Sequence, residues 1–197
     1  MIYRLFYERD DAGPEVEREM SRKLMQMGFL QMYGLHLEEI RLERNALGKP
    51  FAIDYPEIHF NLSHCAGCSA LIFGDGPVGV DVERIRPHKA VVRRALSPEE
   101  MRLLEASGFA DEVFFTFWTL KECYGKAVGA GLLAGMKNLS FSFEHDVPRL
   151  LDHQEAVFFL APPGHGVVTA ACRLEGKRSA ETWTPVVRDI TDEDLIL

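Results

Sequence analysis

The order in which two kinds of apolar pattern follow one another constrains this chain most. Val16, Met20, Leu24, Met27 and Leu30 recur at spacings of four and three, one face of a helix. Pro14 stands at its start and Gly34 at its end, where each residue type is favoured. Residues 1–8 read as an opening strand and 35–50 as irregular. Short runs at 57–62, 69–73 and 78–83, punctuated by glycines and Pro77, read as strands. The same order then returns. Ser97-Pro98-Glu99-Glu100 is a capping box, with Met101, Leu104 and Gly108 completing a short helix. Asp111 starts a second, aromatic-rich helix through Val128, and strand-like runs follow at 138–143, 156–160, 166–173 and 180–187. No sequence repeat accompanies this recurrence. The expectation is an α+β protein of two similar halves, 1–90 and 91–197, joined within 84–97. The acidic residues Asp189–Leu197 read as a loose tail.

Composition narrows the function classes. The 197 residues suffice to bury a core. Thirty acidic against 22 basic residues give a net charge of −8, a poor default for nucleic-acid binding. Four cysteines make no disulfide framework in a chain this long. No apolar run approaches the ~20 residues of a membrane span. Met1–Asp11 alternates apolar and charged residues, unlike a signal peptide. A cytoplasmic enzyme or binding protein is expected, with neither membrane nor nucleic acid as partner.

Three stretches carry chemistry. Val78-Gly79-Val80-Asp81-Val82-Glu83 is a strand ending in two carboxylates at i and i+2, which share a face. Side by side they repel unless a cation or a proton intervenes, and hard oxygens suit Mg²⁺. Taken alone, the pair reads more readily as a strand end in water. Next, Trp118, Glu122 and Lys126 lie four apart on one helix stripe. Glu122 suits a third carboxylate ligand or a general base, and Lys126 a cation for a leaving phosphate. Alone they read as a surface pair worth ~0.3–0.5 kcal/mol. Gly125 between them costs a helix about 1 kcal/mol, which points to close approach by another group. Third, Asn61-Leu62-Ser63-His64 offers a hydroxyl and an imidazole for phosphate oxygens; as neighbours on a strand they face opposite ways, unlike a nucleophile and its base. Gly48-Lys49-Pro50 adds a cation on a restrained backbone.

In this order, Gly-Lys-Pro, Asn-Leu-Ser-His, Gly-Val-Asp-Val-Glu and the segment from Trp118 to Leu132 resemble the 4′-phosphopantetheinyl transferase superfamily, Sfp type. The likeness covers residues 46–143. It implies a monomeric, pseudo-twofold α+β fold with the active site between the halves. It implies transfer of the phosphopantetheine arm of coenzyme A to a serine of an apo acyl or peptidyl carrier protein, with release of 3′,5′-ADP. By the resemblance, Asp81, Glu83 and Glu122 hold Mg²⁺, Glu122 also serving as base. Lys126 lies near the pyrophosphate, Ser63 and His64 contact phosphate, and Gly48, Lys49 and Pro50 run along the adenine nucleotide. Larger members carry a longer, arginine-rich first segment for the 3′-phosphate, for which Arg18 and Arg22 are the substitutes here.

Other features are read against this. Cys65-x-x-Cys68 lacks a second ligand pair and does not open a helix, so all four cysteines read as small buried residues. Gly129-Ala130-Gly131 reads as a turn, since its lysine precedes the glycines. Arg84, Arg86, His88, Lys89, Arg93 and Arg94 read either as a solvated linker or as a dock for an acidic carrier. The competing functions are a non-catalytic homologue that binds a carrier protein or coenzyme A, and a metal-dependent phosphohydrolase. The intact acids disfavour the first and the lack of a His-rich two-metal site the second.

Overall fold

The computed structural model of the chain describes residues 1–7, 13–129, 135–151, 155–175 and 183–195. Along it run β1 (Ile2–Phe6), α1 (Pro14–Tyr33), β2 (Leu42–Arg44), β3 (Pro50–Ala52), β4 (His59–Cys65), β5 (Cys68–Gly74) and β6 (Val78–Arg84). Then follow α2 (Pro98–Ala106), α3 (Asp111–Val128), β7 (Phe141–Glu144), β8 (Val147–Leu150), β9 (Ala156–Leu160), β10 (Val167–Leu174) and β11 (Val187–Ile190). No helix among the described residues is long and apolar enough to cross a membrane.

Two sheets carry the fold, ordered β11-β1-β5-β4 and β6-β10-β9. Their connectivity repeats. β1 leads through α1 to β4 and β5, with β5 in the middle; β6 leads through α3 to β9 and β10, with β10 in the middle. The mixed α+β, pseudo-twofold architecture expected from the element order is therefore present. Strand alternation divides the core into three. Tyr3, Leu5, Leu71 and Phe73 face Leu24, Met27 and Phe29 of α1. Ile2, Ala70 and Ile72, on the opposite face, meet Val78, Val80, Val82 and Ala171 of the second sheet. Ala170, Cys172 and Phe158 face Leu120, Cys123 and Ala127 of α3. The layers run helix, sheet, sheet, helix.

Local rules explain the helix ends. Gly34 and Gly129 close α1 and α3 at φ 68° and 74°, a left-handed geometry in which glycine meets no Cβ penalty. The Ser97 box forms in full: its hydroxyl accepts the Glu100 amide (3.3 Å), and Glu100 accepts the Ser97 amide (2.8 Å). Glu100 also meets Lys121 at 2.6 Å, both side chains being wholly buried. Lys121 spends its remaining donors on the carbonyls of Ala95 (2.8 Å) and Met136 (2.9 Å), and Glu100 accepts the Phe141 amide. A buried pair is tolerated when every donor and lone pair is met in this way. The pair pins α2 and residues 136–141 to α3 one residue before Glu122.

The structure corrects four expectations. Residues 35–50 are not irregular throughout: a single-turn 3-10 helix at Leu37–Glu39 leads into β2, which pairs with β3. The 138–143 run becomes β7, hairpinned to an unforeseen β8. The run expected at 180–187 is instead a strand at Val187–Ile190, residues 180–182 lying outside the described chain. The acidic tail is not loose up to Leu195, because β11 pairs in parallel with β1 and Asp189 bonds the buried Arg4 (2.7 Å). Each miss involves a strand of four residues or fewer, whose identity comes from its partner and not from its own pattern.

Packing of β6 on α3 depends on Gly79. A Cβ there would lie 2.0 Å from the Cys123 carbonyl oxygen and 2.5 Å from the Ala127 nitrogen. Both are helix backbone and cannot rotate away. Gly79→Ala should therefore cost about 3 kcal/mol or more of stability. Urea unfolding checks this, and a midpoint within error of wild type would show that α3 is free to shift.

Candidate active site

Because side chains alternate along β6, Gly79, Asp81 and Glu83 all face α3, and the missing Cβ of Gly79 brings the helix close. The stripe of Trp118, Glu122 and Lys126 faces them. Lys126 Nζ lies 2.6 Å from Asp81 Oδ1 and 2.7 Å from Ser63 Oγ, and the Ser63 hydroxyl donates to the same Oδ1 at 2.8 Å. Asp81 is buried, and its Oδ2 has no hydrogen-bond partner. Glu83 accepts from Trp118 Nε1 and from Arg86, each at 3.1 Å. Burial first, and then the charge of Asp81, raise the Glu83 carboxyl above its ordinary value; Arg86 and Trp118 work the other way. The Glu122 carboxyl is also raised, by burial most, then by Asp81 and, least, by Glu83, against the pull of Lys126. The sequence-predicted acids thus feel one another. Among the described residues, no three His, Cys, Asp or Glu side chains converge as a ready-made metal cage. What fits a hard cation is the donor chemistry of three carboxylates and the bare, buried Oδ2 of Asp81.

From Glu122, Gly125 and Lys126 a cleft of about 220 Å³ runs to Gly48, Lys49 and Pro50. The Gly48 turn has φ 87° and is held by Asn45 Oδ1, which accepts the amides of Leu47 (3.0 Å) and Lys49 (2.9 Å). Lys49 is turned inward: its ammonium donates to the carbonyls of Val78 (2.9 Å) and Ala127 (3.3 Å), the latter at the C-terminal end of α3, and burial lowers its pKa. Two polar residues of the cleft have no role assigned to them from the sequence. Arg44, at the end of β2, donates to the Gly48 carbonyl (2.7 Å). Asn61 shares a face with Ser63 by the two-residue period, a signal that was available.

Not every predicted residue gathers here. His64 points the other way from Ser63, and its ring nitrogen lies 3.6 Å from Glu17 of α1. Arg18 bonds the Pro14 carbonyl and Arg22 lies against Glu38; neither lines the cleft. The basic stretch is dispersed as well. Arg84 donates to the carbonyls of Ala66 and His165, and Arg86 holds Glu83. His88 is sandwiched between Asp111 (2.5 Å) and Arg93 (3.0 Å) and stacks on Phe114. Lys89 and Arg94 stay exposed. Of the cysteines, Cys68, Cys123 and Cys172 are buried and Cys65 is half-buried, all as free thiols. Gly129 ends α3 as read, while Ala130 and Gly131 lie outside the described residues.

Residues 77–169 match the model of the 4′-phosphopantetheinyl transferase superfamily. The chain is 33% identical over 130 residues to the 4′-phosphopantetheinyl transferase psf-1 of Bacillus pumilus, a match over 63% of this chain and 56% of that protein. It is 28% identical over 146 residues to the 4′-phosphopantetheinyl transferase Sfp of Bacillus subtilis strain 168, covering 73% and 64%. The chain thus spans less than two thirds of either relative. A solved holo-[acyl-carrier-protein] synthase of Thermotoga maritima is 26% identical, with TM-score 0.44 over 51% of this chain and 64% of that one.

The raised carboxyl of Glu122 has a stability consequence. A carboxyl that holds its proton more tightly folded than unfolded weakens the fold as pH rises past the unfolded value, and keeps that penalty above its folded value. Glu122→Gln removes the penalty. In the absence of added divalent metal, its melting temperature should exceed that of wild type at neutral pH, and the gap should close below about pH 4, where both states are protonated. Thermal melts at the two pH values decide; a lower melting temperature for the variant at neutral pH would mean that the carboxylate stabilises the fold.

Proposed function

We propose that this chain, which belongs to the 4′-phosphopantetheinyl transferase superfamily and is of Sfp type, moves the phosphopantetheine arm of coenzyme A to a serine of an apo acyl or peptidyl carrier protein. The observation that carries the reading is the junction of Asp81, Glu122 and Lys126 at one end of a cleft that reaches the Gly48–Pro50 turn. In this reading the site lies at the interface of the halves 1–90 and 91–197 of a cytoplasmic monomer, and needs neither membrane nor nucleic acid.

The chemistry follows from the groups present. The carrier serine oxygen attacks the phosphorus that bears the pantetheine arm. The bond to the bridging oxygen breaks, and 3′,5′-ADP leaves with the electron pair. The serine proton passes to Glu122, which lines the cleft beside Lys126. Lys126 borders the same cleft and offsets the charge gathered on the departing nucleotide. Asp81, Glu83 and Glu122 would hold Mg²⁺, which supplies charge neutralisation at the pyrophosphate when bound. On a chain of net charge −8, Lys126, Lys49 and Arg44 supply positive charge at the cleft for phosphates. Gly48 and Pro50 would flank the nucleotide.

Mass spectrometry of a panel of apo carriers incubated with coenzyme A and Mg²⁺ tests the reading: one phosphopantetheine should be gained on at least one carrier. No gain on any carrier, with coenzyme A bound, would favour the non-catalytic alternative. Asp81→Ala should lower transfer by on the order of a hundredfold or more, since it removes the orphaned oxygen and the anchor of Lys126 together. Lys126→Ala should lower kcat and leave the carrier KM within about twofold; a change confined to the carrier KM would remove Lys126 from the leaving-group step.

A further inference from the structure

Ser63 stands 5% exposed on β4, and its hydroxyl makes three bonds. It donates to Asp81 Oδ1 (2.8 Å) and accepts from Lys126 Nζ (2.7 Å) and from the Val82 amide (3.4 Å). A hydroxyl has one hydrogen and two lone pairs, so its capacity is used up. No hydrogen is left for a phosphate oxygen unless Asp81 gives it up. The resemblance set Ser63 against phosphate; the geometry gives it different work.

We infer that Ser63 is a positioning residue, which fixes Lys126 on one oxygen of Asp81 and so leaves the other oxygen without a hydrogen-bond partner. Three features support this. The Val82 amide adds a longer contact to the same hydroxyl (3.4 Å) from the backbone next to Asp81. The two charged groups converge on the hydroxyl from different elements, β6 and α3. Both bonds to charged groups are short, and such bonds are the stronger and more directional kind. The orphaned Asp81 Oδ2 is the counterpart: all of the local donors are gathered on Oδ1. Asn61 supplies an internal control, since its Oδ1 accepts the Val80 amide (2.9 Å) in the same seam, while the charged groups Asp81 and Lys126 bond Ser63.

The inference rests on the proposed transfer only for its catalytic consequence, so the test has two parts. The first needs no activity. Urea unfolding of wild type, Ser63→Ala, Lys126→Ala and the double variant, without metal, should show coupling of about fivefold or more in the unfolding constant. Asn61→Ala combined with Lys126→Ala should be additive. Additivity for the Ser63 pair would overturn the inference, because a residue that serves only the seam behaves like Asn61. If Ser63→Ala does not fold, Ser63→Cys keeps the volume, weakens the hydrogen bonds and serves in its place. The second part measures transfer. Ser63→Ala should lower kcat by on the order of tenfold with the coenzyme A KM within about twofold, and Ser63→Thr should restore it. A raised coenzyme A KM at unchanged kcat would instead make Ser63 a substrate contact. If wild type transfers to no carrier, the proposed function fails while the unfolding cycle still decides the role of Ser63.

Discussion

Two sheet edges meet in this protein without a backbone ladder, and the site is a product of that junction. β4 ends the first sheet and β6 ends the second. Each edge strand carries unpaired amides, which water or a partner must meet. Here the side chains of Asn61 and Ser63 accept the amides of Val80 and Val82. A ladder would have drawn the strands to the usual spacing and buried everything between them. Side-chain splices hold the edges further apart and leave polar atoms in the gap. Asp81 stands on the spliced strand, the absent Cβ of Gly79 lets the α3 backbone close in at Cys123 and Ala127, and Lys126 of that helix reaches Asp81.

Electrostatics at this junction run against stability. Glu83 and Glu122 are raised by burial and by the charge of Asp81, so the fold keeps acids where it would be more stable without them. Natural chains accept such costs at sites that need preorganised charge. The cost is contained by local partners: Lys126 and Ser63 for Asp81, Arg86 and Trp118 for Glu83. The buried Lys121–Glu100 pair works differently. It is fully satisfied, lies off the stripe on α3 and serves to pin neighbouring segments. Two lysines five residues apart on one helix therefore have separate roles, one pinning the helix and the other available to a ligand.

Legibility in the sequence followed the range of the interactions. The i,i+2 acids, the i,i+4 stripe and the Ser97 capping box are set by short-range geometry: the acids share one face of β6, the stripe faces them and the box forms in full. The short strands β2, β8 and β11 were invisible because their partners, not their own residues, define them. β11 pairs with β1 across the length of the chain. The basic stretch 84–94 read as one surface, yet Arg84 is spent on the carbonyls of Ala66 and His165 and His88 on Asp111, on other elements, while Arg86 and Arg93 turn to Glu83 and His88 close by in the chain. Lys49 misled in the same way: a lysine after glycine in a turn looks free, but the carbonyls of Val78 and Ala127 are far from it in sequence. The resemblance supplied the grouping of acids and lysine; only the folded chain shows that the Ser63 hydroxyl is already fully bonded.

The pseudo-twofold plan also explains why the two units differ chemically. β1 and β6 open equivalent units, and each presents alternate residues to its long helix. On β6 those residues are Gly79, Asp81 and Glu83; on β1 they are Tyr3 and Leu5, packed against α1. The first unit therefore fills with hydrocarbon the position that the second fills with charge. The free edge of β1 is sealed too, because β11 pairs along it and Asp189 meets the buried Arg4, whose Nη1 also bonds the Pro162 carbonyl after β9. β6 has no such covering strand on its outer edge and meets β4 through two side chains instead. Closing one edge with a backbone ladder gives the fold a rigid side. Leaving the other to Asn61 and Ser63 gives it a polar gap, where Asp81 and Lys126 meet a hydroxyl instead of an apolar layer.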